Sequence, residues 1–281
     1  MKKAFVLGLF VTLLVSCSRD KEASFSFFVA GHTYGAPSGI NPGLHPPFID
    51  MFPYLNDVKE IDLGVLTGDI VRKSTDEAWD TVGQQLKQLN KKVYLCPGNH
   101  DIHPREIFES RFGNTYYSFT HKDNLFIVLD GNLDRWNITG DQLSFLVNTL
   151  GSADETISNV FIFIHQLVWW DKDNIFSKVN LNWPPYTPDS TNYWSQVEPL
   201  LQDYRRPVFL FAGDLGANDQ ASPLMYYPDR NITYAASGMG NGKNDNFLIV
   251  HVKDDKSVDI SLAAIGADMN RMGRIEDYQL H

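Results

Sequence analysis

Six short runs rich in Val, Ile, Leu and Phe recur along the chain, at 25–30, 61–67, 92–96, 125–130, 160–164 and 207–212. Their length and composition predict buried strands. Five of the six stop at glycine and polar residues: Gly31-His32, Gly68-Asp69, Gly98-Asn99-His100-Asp101, His165 and Gly213-Asp214. Helical segments fall between the runs. Ser74-Thr75-Asp76-Glu77 reads as a capping box leading into an apolar stripe of Ala78, Val82, Leu86 and Leu89, and Thr139 opens a second stripe of Leu143, Leu146, Val147 and Leu150. Strands alternating with helices predict a layered α/β fold. Ligands of open α/β sheets sit at the carboxyl ends of strands, so the five polar clusters converge if their strands are neighbours.

The end of the chain differs. Runs at 232–236, 247–252 and 258–263 follow one another without room for helices, and turns such as Lys253-Asp254-Asp255-Lys256 separate them, which predicts antiparallel pairing. With no repeat and no long Pro/Gly/Ser linker, residues 24–270 are expected to form one domain, followed by a frayed tail or terminal helical turn at 271–281. A chain of 281 residues that is 43% hydrophobic can bury a large core. Its net charge of −10 argues against binding a nucleic-acid backbone, which requires a basic face.

Residues 1–16 read as an export signal. Lys2-Lys3 precede the apolar run 4–15, which is too short to span a bilayer as a stop-transfer helix. The run ends in Leu14-Val15-Ser16-Cys17, which resembles the lipobox of bacterial lipoproteins, with Cys17 as the lipidated residue and 17–23 as a tether. Cleavage there removes two lysines and takes the charge from −10 to −12. The expected location is the bacterial cell envelope, lipid-anchored and facing the periplasm or exterior. Two cysteines cannot form a disulfide scaffold, and Cys96 reads as a buried apolar filler.

Carboxylate, carboxamide and imidazole groups gathered at strand ends suit borderline divalent metals such as Mn, Zn or Fe. In order and context, Gly68-Asp69, Gly98-Asn99-His100-Asp101 and His165 resemble the middle motifs of the calcineurin-like metallophosphoesterases. That family carries D-x-H, G-D, G-N-H-[DE], a lone H and G-H-x-H after successive strands of a four-layer α/β/β/α sandwich. The resemblance implies that fold for most of the chain. It also implies hydrolysis of a phosphomonoester or phosphodiester by metal-activated water, with Asp69 at the catalytic centre and His100 as general acid.

The outer motifs depart from the family. Ala30 stands in place of the acidic ligand before His32, while Asp214 and Gly216 replace the last two histidines. One site then retains His32 and Asp69, and the other Asp69, Asn99 and His165 with Asp214 in place of imidazole. One divalent metal is therefore expected and a second is doubtful, with Asn218, Asp219 and His45 as alternative donors. Arg72 stands where many members carry an acidic residue and is a candidate phosphoryl contact.

The aromatic stretch 166–196, with Trp169, Trp170, Trp183, Tyr186, Tyr193 and Trp194, is either a substrate wall or a loop that packs its own rings. On the wall reading, Trp169 and Trp170 bind substrate. The proline-rich segment 35–53 is expected to border the same cleft. The expected partner is a phosphorylated small molecule, glycan or lipid, together with the membrane through the anchor. The competing reading is a catalytically impaired binding module that recognises a phosphorylated envelope glycan or lipid.

Overall fold

The computed structural model describes residues 24–281. Lys2, Lys3, the apolar run and Cys17, and with them the expected signal and anchor, lie outside the described residues. Among the described residues no helix is long and apolar enough to cross a membrane.

The strands and helices follow in chain order as β1 (Phe25–Ala30), α1 (Pro46–Ile49), α2 (Phe52–Asp57), β2 (Ile61–Thr67), α3 (Asp76–Leu86), β3 (Lys92–Cys96), α4 (Arg105–Phe112), β4 (Tyr117–His121), β5 (Asn124–Val128), α5 (Gly140–Ser152), β6 (Asn159–Ile164), α6 (Glu198–Asp203), β7 (Val208–Ala212), β8 (Leu224–Asp229), β9 (Ile232–Ser237), β10 (Asn246–Val252) and β11 (Val258–Ala264). They build a five-stranded sheet in the order β11-β10-β1-β2-β3 and a six-stranded sheet in the order β4-β5-β6-β7-β9-β8. Pairing is parallel among β1, β2 and β3 and among β5, β6, β7 and β9.

The period-two alternation of the strands decides which side chains face which layer. Phe27, Val29, Leu63 and Val65 of the first sheet meet Phe126, Phe161, Phe163 and Phe211 of the second in a core between the sheets. On the other face of the first sheet, Phe28, Ala30 and Leu66 pack under Phe48, Phe52, Trp79, Val82 and Phe108 from α1 to α4. On the outer face of the second, Ile127, Ile162 and Leu210 pack under Leu146, Leu150 and Leu201. Three apolar layers between four layers of secondary structure make the α/β/β/α sandwich. Strands covered on both faces explain the near-continuous apolar runs.

Local details differ from the sequence reading. The cap of α3 is Thr75, whose hydroxyl accepts the Ala78 N–H at 3.2 Å, while Ser74 accepts the buried Trp79 indole N–H at 3.0 Å. The antiparallel expectation for the last strands holds for β10 and β11, whereas β9 pairs parallel with β7 and antiparallel with β8. β9 and β10 therefore belong to different sheets, and segment 238–245 crosses between them. After β11 the chain closes with a 3-10 turn at Ile275–Tyr278, and Met272 and Ile275 are buried in the core between the sheets. Cys96 is buried, its thiol 3.4 Å from the Leu129 carbonyl.

Candidate metal centre and its cleft

Five strands, three from one sheet and two from the other, end at the same place. Backbone bonds tie their ends together. His32 N–H donates to the Gly68 carbonyl at 3.0 Å, Tyr34 N–H to that of Asp69 at 3.0 Å, and both Gly213 and Asp214 to that of His165 at 2.9 and 3.0 Å. The approach is so close that a Cβ on Gly213 would lie 1.9 Å from the Thr67 carbonyl oxygen. Gly68, at φ +84°, is equally constrained, because a side chain there would strike the His165 ring. Asp69 and His32 themselves adopt left-handed backbone, each at φ 52°. Non-glycine residues rarely hold this conformation, and at strand ends around a shared centre it aims their side chains inward.

His32, Asp69 and Asp214 each offer a ligand atom within 4.8 Å of the other two. His165 joins them, with Nε2 3.3 Å from Asp69 Oδ1 and 3.9 Å from Asp214 Oδ1. The histidines are oriented from behind. His165 Nδ1 lies 2.9 Å from the Thr67 carbonyl, His32 Nδ1 3.1 Å from that of Met239, and His100 Nδ1 2.6 Å from that of Arg72. A carbonyl only accepts, so each Nδ1 carries the proton and each Nε2 is left for the centre. His165 Nε2 is buried and has no hydrogen-bond partner.

Electrostatics agree with this geometry. Burial works against a charged His165, but the Asp69 and Asp214 carboxylates outweigh it and push its pKa up to about 10. Burial likewise opposes ionisation of Asp69, yet His165 and His32 hold it well below the usual carboxylate range. An orphaned buried imidazole nitrogen facing two carboxylates is a donor set that fits a divalent cation.

Asn99 and His100 line the cleft beside this centre. His100 N–H donates to Asp69 Oδ1 at 3.1 Å. Asp101 points the other way, into the protein. Its carboxylate accepts the N–H groups of Ile70, Val71 and Gly98 at 2.8, 3.0 and 2.8 Å, which clamps the loop after β2 to the loop after β3. Burial and the neighbouring Asp69 raise its pKa to about 7.

The replaced outer motifs change the centre as follows. Ala30 is fully buried under the helices and Gly216 offers no side chain, so neither contributes a ligand. Asp214, assigned by sequence to the Asn99 and His165 half, also lies within the His32 cluster. The two half-sites thus share Asp69 and Asp214. His45 is not a donor, because its Nε2 is 2.9 Å from Asp245 Oδ2. Asn218 caps a turn through Gln220 and Ala221 N–H, and Asp219 lies exposed on the cleft rim.

The cleft has a volume of about 1270 Å³. Tyr34 and Pro37 form one side of it, and Trp170, Leu181, Trp183 and Tyr186 another. The aromatic stretch divides between two roles. Trp169, expected on the substrate wall, is completely buried, packed with Tyr234, Phe176 and Tyr193 at ring separations of 5.4, 6.3 and 6.3 Å. Its apolar bulk belongs to the helix-side core. Trp170 lines the cleft and is fixed by an indole bond to the Val179 carbonyl at 3.2 Å, whereas Trp183 is 69% exposed. Arg72 also lines the cleft, but its guanidinium donates to the carbonyls of Ala36 and Pro37 at 2.7 and 2.5 Å and lies 4.8 Å over the Tyr34 ring. These bonds hold the proline-rich loop to the wall and use two of the five guanidinium N–H groups. Sequence reasoning missed Asn182, whose side chain donates to Asp214 Oδ1 at 2.7 Å.

Known proteins resemble the chain in the same terms. A 3',5'-cyclic adenosine monophosphate phosphodiesterase of Haemophilus influenzae is 28% identical over 131 residues, covering 41% of this chain and 46% of that protein. A probable cyclic nucleotide phosphodiesterase of Fibrobacter succinogenes is 28% identical over 116 residues, covering 38% and 43%. The chain thus spans less than half the length of these curated relatives. A solved purple acid phosphatase from yellow lupin seeds shares the fold at a TM-score of 0.64 and 12% identity, over 93% of this chain and 53% of that one. The family model for the calcineurin-like phosphoesterase domain matches residues 32–214, which runs from the first histidine of the centre to its last carboxylate. The chain belongs to the calcineurin-like phosphoesterases.

Proposed function

We propose that this protein hydrolyses phosphate esters at the His32, Asp69, His165 and Asp214 centre, with Asn99 completing the donor set and His100 protonating the leaving oxygen. The observation that carries the reading is the buried, unpartnered His165 Nε2 facing Asp69, which lines the cleft together with His100. A divalent cation held by these residues supplies Lewis-acid stabilisation of the negative charge that builds on the phosphoryl group. Mn, Zn and Fe suit the mixed oxygen and nitrogen donors.

The chain's own residues do the rest. The Nδ1 bond to the Arg72 carbonyl fixes the His100 ring, so its Nε2 can hold a second proton toward the cleft. Delivery of that proton to the leaving oxygen, as water forms the new bond to phosphorus and the ester P–O bond breaks, is general acid catalysis. Asp69 accepts the His100 N–H, so the residue that holds the cation also sets the position of the acid. Trp170, Leu181 and Trp183 form a largely apolar wall that suits the organic part of an ester. The names of the curated relatives make cyclic nucleotides the first diesters to test, beside phosphorylated glycans and lipids. Lys2-Lys3, the apolar run and Cys17 support action at the cell envelope from a lipid anchor.

The full chain is to be assayed with bis(p-nitrophenyl) phosphate, p-nitrophenyl phosphate and 3',5'-cyclic AMP in the presence of Mn or Zn. Cation-dependent turnover that disappears in Asp69→Asn supports the proposal. Absence of turnover on every ester, or equal turnover in Asp69→Asn, overturns it. The missing ligands at Ala30 and Gly216 favour one second reading, a module that binds a phosphorylated envelope glycan or lipid without cleaving it. Saturable binding of such a ligand with no product formed would establish that reading instead.

A further inference from the structure

Asp214 stands where the family carries a histidine, and a carboxylate there meets a difficulty that imidazole does not. It shares a small centre with Asp69, so two like charges repel, and its side chain retains some exposure at 16%, leaving it free to turn toward water. Something must hold it inward without bringing a positive charge that would compete with the cation. We propose that Asn182 is the positioning residue that makes Asp214 a cation ligand, an inference that rests on the proposed phosphoesterase centre.

Three bonds support it. Asn182 Nδ2 donates to Asp214 Oδ1 at 2.7 Å, Asn182 Oδ1 accepts the Ala217 N–H at 2.9 Å, and the Asn182 carbonyl accepts the Asn218 side-chain amide at 3.1 Å. The second bond fixes the sense of the first. A backbone N–H can only donate, so the amide oxygen must face Ala217 and the NH2 group must face Asp214. Both ends of one carboxamide thus grip the segment from Asp214 to Ala217, and the carboxylate is pinned relative to its own backbone. The donor is neutral. A lysine or arginine in its place would form an ion pair with Asp214 and cancel the charge that attracts the cation. The oxygen engaged by the amide, Oδ1, is also the one 3.9 Å from His165 Nε2, and a carboxylate oxygen has a second lone pair with which to meet a cation while it accepts the amide. Asn182 also precedes Trp183 in the chain, and both line the cleft.

The test is a double-mutant cycle read as Mn affinity by equilibrium dialysis of the full chain, with thermal melting to confirm that each variant is folded. Asn182→Ala is expected to weaken Mn binding by about 10- to 100-fold, the range for loss of a group that orients a ligand. Asp214→Ala is expected to weaken it at least as much, and the double variant no more than Asp214→Ala alone, because Asn182 acts through Asp214. Asn182→Ser, which keeps a polar residue but lacks the reach, gives the same pattern should the alanine variant misfold. Lys172→Ala changes an exposed residue of the same loop outside the cleft and retains wild-type affinity. Wild-type affinity in Asn182→Ala and Asn182→Ser, or a double variant that multiplies the two single losses, overturns the inference and leaves the proposed function standing. A wild-type chain that binds no Mn, Zn or Fe removes the cation centre itself and the inference with it.

Discussion

The two sides of the candidate centre are built in different ways. On the side formed by the ends of β2, β3 and β6, the histidines are held by main-chain carbonyls, His165 by that of Thr67 and His100 by that of Arg72, while the buried Asp101 carboxylate ties the two loops together. On the side formed by β1 and β7, His32 is still held by the Met239 carbonyl, but Ala30 is buried in the core and the Asp214 carboxylate is held by a side chain from the long loop after β6. The ligands of the first side are fixed by the sheets. On the second side the Asp214 carboxylate depends on a loop and on one amide, so substitution should damage the two sides unequally.

The largest effect is expected where both sides meet. Asp69→Asn removes the carboxylate shared by His32, His165 and the His100 backbone, and ester hydrolysis should fall to the uncatalysed background in a steady-state assay. His100→Ala breaks only the main-chain-wired side and is expected to lower kcat by about 10²- to 10⁴-fold, the usual contribution of a general acid. The loss should shrink as the leaving group becomes more acidic, since a good leaving oxygen needs less protonation. A loss independent of leaving group contradicts the assignment.

The aromatic stretch provides the next contrast. Trp169→Ala should cost about 3–5 kcal/mol of stability in denaturant unfolding, because it empties a fully buried site among Tyr234, Phe176 and Tyr193. Trp170→Ala should raise KM with a smaller stability loss, since the indole lines the cleft.

The smallest effect is expected away from the centre, at Asp245. Burial raises its pKa, but His45 and the N–H groups of Gly240 and Gly242 outweigh this and lower it overall. With the folded value below the unfolded one, its stabilisation is complete above the ordinary carboxylate pKa and is lost as pH falls through the folded value. Asp245→Asn should remove that acid-side loss and cost about 1–2 kcal/mol at neutral pH, read from urea melts across pH.

The same contrast explains what the sequence could disclose. β1, β2 and β3 were legible to the residue because strands buried on both faces are continuous apolar runs. The main-chain-wired ligands were legible because each follows such a run directly. The edge strands β4 and β8 were missed, since Tyr117–His121 alternates between exposed and partly buried residues and Leu224–Asp229 contains a proline. Asn182 could not be read, because its partner lies 32 residues away and is reached only through the folded loop. Trp169 and Trp170 are adjacent in sequence and differ only in the direction of their side chains, which composition does not encode. Ser74 was displaced as a cap by the indole of Trp79, a competition between two local donors for one hydroxyl.

The central claim is a single cation centre assembled from both sides, and cation stoichiometry tests it most directly. Metal content per chain, measured after dialysis of the full chain against excess Mn or Zn, should be one equivalent in the wild type and none in Asp69→Asn. Two equivalents in the wild type, or an undiminished equivalent in Asp69→Asn, would contradict the account.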